Sequence, residues 1–375
     1  MDFQAIVQSM REAGPAKALD LLAEKLREEK NYAMLFDARL LAKRHALGLE
    51  PMPHGPLTGL SEEQRKDWDA ALADAALEAG ALFIQNGQID RAFPYYRALG
   101  DLSPVKEAIE KVESGEGVDA AIEVAFGNQV HPAKGFELIL RNHGTCRAIT
   151  CFEQIQDHQA RSDSLRLLVR TLHSELAGNL RRAIESREGG LPESQHLPTL
   201  VQGREWLFGE YDYYVDTSHL LSVIRYATES EDAEVLGLAV EMCGYGRMLG
   251  TMFQNPGEPP FENFYPDHEF YLRALMGHDV DAAIAHFRTK VAGYDPYEIG
   301  TYPAQTLVRF LLKLKRYGEA VSVSEEFLKD TDPQYLACPT TIQLCQMAED
   351  WTTLRQVAER QGDPIAFAAA LLHAG

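Results

Sequence analysis

The chain has 375 residues, 45% hydrophobic and 25% charged, the composition of a folded globular protein rather than of a disordered one. Its 56 Asp and Glu against 36 Lys and Arg give a formal charge of −20. That charge repels phosphate backbones, and no Lys/Arg cluster offsets it, so nucleic acid and anionic membranes are not expected partners. Met1-Asp2-Phe3-Gln4 lacks a basic start followed by an apolar run, and no apolar stretch approaches the roughly 20 residues of a membrane span, so a cytoplasmic protein is expected. Cys146, Cys151, Cys243, Cys338 and Cys345 form no C-x-x-C pair, and their scatter points to reduced, mostly buried thiols.

From Asp2 to about Leu47 apolar residues recur at spacings of three and four, as in Leu19, Leu22 and Leu26, then Leu35 and Leu40, which predicts amphipathic helices divided at Gly14-Pro15. Leu47 to Leu60 holds three prolines and three glycines and reads as a linker or capping loop. Residues 1–60 are therefore expected to form an N-terminal helical cap with its linker, and 61–375 a helical-repeat domain. Ser61 and Gln64 carry the spacing of a capping box at the next helix start.

The segment after it resembles the tetratricopeptide repeat: Gly80, Phe83, Gly87, Ala92, Tyr96 and Pro104 occupy that family's offsets. A second match runs from Ala304 to Pro333, with Tyr317-Gly318-Glu319-Ala320 at the turn and Phe327 in the second helix. A looser third spans Phe264 to Lys290, with Ala283 and Phe287. These cover about a quarter of the chain; helical periodicity extends the reading elsewhere. The resemblance implies an all-α, right-handed α-solenoid of tetratricopeptide-like helix pairs, curled far enough, in one version, to enclose a central cavity. A closed (α/α) toroid is the rival, but toroid hydrolases are usually rich in tryptophan and this chain has three.

Repeat regularity breaks over residues 130–266, where two long non-helical stretches, Gly189 to Gly203 and Asn255 to Pro266, lead into aromatic clusters. The first cluster is Trp206, Phe208, Tyr211, Tyr213 and Tyr214; the second is Phe261, Phe264 and Tyr265. Such rings either wall a ligand pocket or pin the loop to the body of the protein.

Three histidines stand where helices are predicted to begin: His131 before Pro132, His219 three residues after the cap Asp216, and His268 after Pro266-Asp267. The positive end of a helix favours a neutral imidazole, able to bind metal or act as a base. In the tetratricopeptide family the first helix of each pair lines the concave groove, and the register of Ala283 puts His268 there. His131, His219 and His268 with Asp216 or Asp267 would suit zinc or non-haem iron. Against this, the chain has no H-E-x-x-H, and helix capping explains either aspartate. A second constellation, His143 with Cys146 across the helix terminator Gly144, has the spacing of a base and nucleophile, although the helix that continues through Ile149, Phe152 and Ile155 favours a thiol that faces the core. On a straight helix His131 and His143 lie roughly 18 Å apart and cannot share one metal. His173 and Glu175, two apart, fall on different helix faces.

Two functional classes follow. One is a ligand-binding or catalytic protein with a divalent metal, in the catalytic case a metal-dependent hydrolase or oxygenase acting on a small or extended polar substrate. The other is a scaffold that receives a peptide in its concave groove without catalysis. The first is favoured because the irregular central region coincides with the histidines.

Overall fold

The computed structural model describes residues 3–52, 59–254 and 256–374. The centre of the predicted linker, 53–58, lies outside the described residues, as does Asn255 of the second long loop. Every regular element described is a helix, and the helices pack chiefly on their neighbours in sequence, as the all-α reading requires. No described helix is long and apolar enough to cross a membrane. The chain divides into two compact units, Met1–Ser164 and Leu165–Gly375.

In the first unit, α1 (Phe3–Glu28) is interrupted at Gly14, whose φ of 85° leaves the helical region just before Pro15. The helices α2 (Tyr32–Ala46), α3 (Glu62–Gln85), α4 (Ile89–Leu99), α5 (Ser103–Glu110) and α6 (Val118–Ile122) follow, the last running into a π turn at Glu123–Gly127. The capping box at Ser61 and Gln64 forms as predicted, each side chain bonding the other residue's backbone N–H. Gly80 is required: a β-carbon there would stand 2.8 Å from the Tyr96 ring, so only glycine lets α3 and α4 approach this closely. Phe83 adds edge and stacked contacts to Tyr32 and Tyr95. The α7 helix (Pro132–Phe152) breaks at Gly144, φ 79°, where the sequence places a terminator. The unit boundary falls within α8 (His158–Glu188).

The second unit contains α9 (Leu197–Val201), α10 (Thr217–Ala227), α11 (Ala233–Met248), α12 (Phe264–Leu275), α13 (Val280–Gly293), α14 (Pro296–Ile299), α15 (Tyr302–Lys313), α16 (Tyr317–Phe327), α17 (Thr341–Met347), α18 (Trp351–Gln361) and α19 (Pro364–Ala374). Its core from α12 to α19 centres on Tyr271, stacked on Phe310 at 4.2 Å, with Phe287 edge-on to both.

One turn recurs in both units. Between α1 and α2, α3 and α4, α12 and α13, α15 and α16, and α17 and α18, a left-handed residue ends the first helix: Lys30, Gly87, Gly277, Lys315 and Glu349. The next N–H in each case returns to the carbonyl five residues back: Asn31 to Leu26, Gln88 to Phe83, His278 to Arg273, Arg316 to Leu311, and Asp350 to Cys345, all within 2.8–2.9 Å. This six-to-one bond satisfies a terminal carbonyl and reverses the chain, so hairpins of unlike sequence share one geometry.

Candidate functional site

Both long loops of the second unit end on polar networks, and these hold its buried Asp267 and His173. The second loop leads into α12, where Asp267 is 2% exposed. Its Oδ2 accepts the Asn263 N–H at 2.9 Å and lies 2.6 Å from Lys290 Nζ on α13. Lys290 also donates to Glu262 Oε2 at 2.6 Å and to the Pro260 carbonyl at 2.8 Å, so its three donors have three acceptors. One turn earlier on α13, His286 Nε2 lies 2.9 Å from Asp267 Oδ1. Tyr294 donates its hydroxyl to Glu262. Burial works against the Glu262 charge, yet Lys290 and Tyr294 hold its carboxyl below the usual range; burial and that same bond push the Tyr294 phenol up.

His268 sits beside this network, in the second turn of α12. Its ring lies 4.2 Å from Phe261 and 4.1 Å from Phe264, and Nδ1–H donates to the Phe264 carbonyl at 2.8 Å. Burial lowers its pKa from 6.5 to about 4, so the imidazole is neutral at pH 7, as the sequence suggests. The largest cause is desolvation, not the end of a helix.

The first loop is held from α11. Glu241 Oε2 accepts from His173 Nε2 of α8 at 3.0 Å and from the Leu197 N–H at 2.9 Å, while its Oε1 lies 3.7 Å from His196 Nε2. Desolvation opposes the Glu241 charge, but the bonds from His173 and Leu197 outweigh it and keep the carboxyl below its ordinary value. Glu175 is exposed, away from this group, as its two-residue offset from His173 requires.

The other residues singled out in the sequence have local partners. His131, in the first unit, is the N-cap residue of α7, with Nε2 2.6 Å from Glu110 Oε1. His143 turns to Asp119 at 3.0 Å; Cys146, beyond the Gly144 break, is exposed, and no hydrogen bond joins the two among the described residues. The remaining four thiols are buried. Asp216 caps α10, accepting from the Ser218 hydroxyl and N–H, and these bonds, with His219 nearby, lower its pKa. His219 lies half-buried in the first turn of α10. Among the described residues no three His, Cys, Asp or Glu side chains are grouped as a metal ion requires.

A different group lies on α15. Arg309 is half-buried, donating to Thr306 Oγ1 at 3.2 Å with its guanidinium 5.6 Å from the Tyr302 ring centre. No carboxylate pairs with it among the described residues. One turn on, Lys313 donates to the Glu229 carbonyl at 2.7 Å; burial lowers its pKa, against the pull of Glu231 and Glu229. Sequence reading missed Arg309, Lys290, Glu262, Tyr294, His286, Glu241 and His196. The only local signal among them is His286 and Lys290, four apart on one face of α13. No family model, curated protein or solved structure matches the chain.

Proposed function

We propose that the chain is a non-catalytic interaction scaffold: a right-handed α-solenoid of tetratricopeptide-like helix pairs whose first helices line a groove for an extended acidic peptide. The observation that carries this reading is Arg309, a half-buried guanidinium on a first helix that, among the described residues, meets the Thr306 hydroxyl and the Tyr302 ring and pairs with no carboxylate. A bidentate carboxylate is the natural complement of such a guanidinium, and the Tyr302 ring beside it supplies apolar contact. The recurring hairpin turn supports the scaffold class, because stacked pairs of one geometry build a continuous surface. Three of the four residues read from the sequence as metal ligands have local partners, which supports this reading. His131 has Glu110, Asp216 caps α10, and His268 has the Phe264 carbonyl and two phenyl rings.

The test is an array of extended peptides probed with the wild-type chain and with Arg309→Glu. Binders enriched in Asp and Glu that lose about tenfold or more in affinity with Arg309→Glu are expected. Binders indifferent to that change, or no binders, would sink the reading.

A further inference from the structure

The turns of two consecutive hairpins, α15–α16 and α17–α18, leave between them a cleft of about 430 Å³. That is the low end of the range for small-molecule sites and suits a ligand the size of one amino acid. Lys315, Arg316, Tyr317 and Glu319 line it from the first turn, Met347 and Glu349 from the second. Two cations and two carboxylates make this lining neutral in a chain of charge −20. One charge of each sign is already engaged: Arg316 pairs with Asp281 on α13 and, at 3.3 Å, with Glu319. Among the described residues, the exposed side chains of Lys315 and Glu349 pair neither with each other nor with any other group.

Both of these residues occupy the left-handed turn position, φ 58° and 54°, where the α3–α4 and α12–α13 hairpins have Gly87 and Gly277. A β-carbon at such a φ is strained, so two opposite charges are held over one cleft at some loss of stability. Met347, 48% exposed, and Tyr317 add apolar surface beside them.

We propose that the cleft binds a free α-amino acid with an apolar side chain, its carboxylate met by Lys315, its ammonium by Glu349 and its side chain by Met347 and Tyr317. A zwitterion gives each of the two charges a partner and leaves the lining neutral. A ligand with one charge would pair with one of them and leave the other, and an anion would also meet the repulsion of the whole chain. Both ion pairs lie at the surface and are weak, which sets a Kd of about 0.1–1 mM. Neither Arg309 nor Tyr302 lines the cleft, so the proposal stands apart from the scaffold reading.

Saturation-transfer NMR titration of the full chain with L-leucine, L-methionine and L-phenylalanine tests it, with Lys315→Gly and Glu349→Gly beside the wild type. Saturable binding of at least one of the three is expected, weakened about fivefold or more by each substitution. Glycine suits the backbone at both positions, so the variants stay folded, and a thermal melt checks this. Deleting either charge of the ligand is the second readout: the N-acetyl and carboxamide derivatives of the bound amino acid should each bind about fivefold or more weakly. Absence of saturable binding up to about 10 mM overturns the proposal. So does binding that either glycine variant leaves intact, or binding that the N-acetyl or carboxamide derivative matches.

Discussion

Lys290 Nζ lies 2.6 Å from Asp267 Oδ2, and through this contact the loop before α12 is fastened to α13. The same ammonium reaches Glu262 and the Pro260 carbonyl, so loop, helix start and the following helix share one cation. A cluster with the composition of an acid–base centre thereby fastens this loop.

Replacing Lys290 by Met strands the buried Asp267 carboxylate and should cost about 3–5 kcal/mol. Lys290→Met with Asp267→Asn should recover a large part of that, because both charges are removed together. Urea unfolding measures the cycle, and limited proteolysis should show new cleavage within 256–263 in the single variant only. Equal losses in the single and double variants would show that the charge pair is not what holds the loop.

His268 gives stability a pH dependence of definite sign. Below its ordinary pKa of 6.5 the unfolded chain takes up a proton that the folded chain refuses until about pH 4. The stability from keeping this imidazole neutral is therefore complete above pH 6.5 and lost as pH falls towards 4, about 3 kcal/mol in all. His268→Gln should remove that part of the slope; its difference from wild type in Tm against pH isolates this group. Glu241 adds a loss at lower pH, since its carboxyl is held below its usual value and its stabilisation vanishes only as pH falls through the lowered one. A wild-type profile identical to that of His268→Gln would contradict the buried neutral ring.

Lys315 and Glu349 occupy left-handed turn positions, φ 58° and 54°, that suit glycine. Lys315→Gly and Glu349→Gly should each stabilise by about 1 kcal/mol, as the backbone strain of a β-carbon there is relieved. Gly80→Ala should destabilise by about 1–3 kcal/mol, because the new methyl meets the Tyr96 ring. Chemical denaturation ranks the three; a destabilised Lys315→Gly would mean that its side chain contributes more than its backbone costs.

Chelation tests the other reading of the histidines. With EDTA the Tm of the native protein should stay constant, and His219→Ala should lie within about 0.5 kcal/mol of wild type. Stoichiometric metal in gently purified protein, lost together with stability in His219→Ala, would restore a metal centre at that position.

The hairpins were legible because their signals are local. Gly80 and Tyr96 meet across one turn, and Tyr317-Gly318-Glu319-Ala320 marks the start of α16 with Ala320 fully buried. What lies at the turn itself was not legible, since Lys30, Lys315 and Glu349 are unremarkable residues forced left-handed by the six-to-one bond. The networks were less visible still. Lys290 meets Glu262 28 positions away, and His173 meets Glu241 68 away, distances over which no spacing rule operates. Of the histidines conspicuous for standing near helix starts, His131 meets Glu110 and His268 the Phe264 carbonyl, partners that no spacing in the sequence marks. The aromatic residues divided: Phe261 and Phe264 enclose His268, while Tyr211 and Tyr213 remain exposed at 69% and 55%.

The cysteines give the molecule its own unfolding clock. Cys146 alone is accessible and should react with a thiol reagent at once; the other four should wait for the chain around them to open. Of those four, Cys151 belongs to the first unit and Cys243, Cys338 and Cys345 to the second. Mass-resolved alkylation would thus time the opening of each half separately, without a label or an engineered probe.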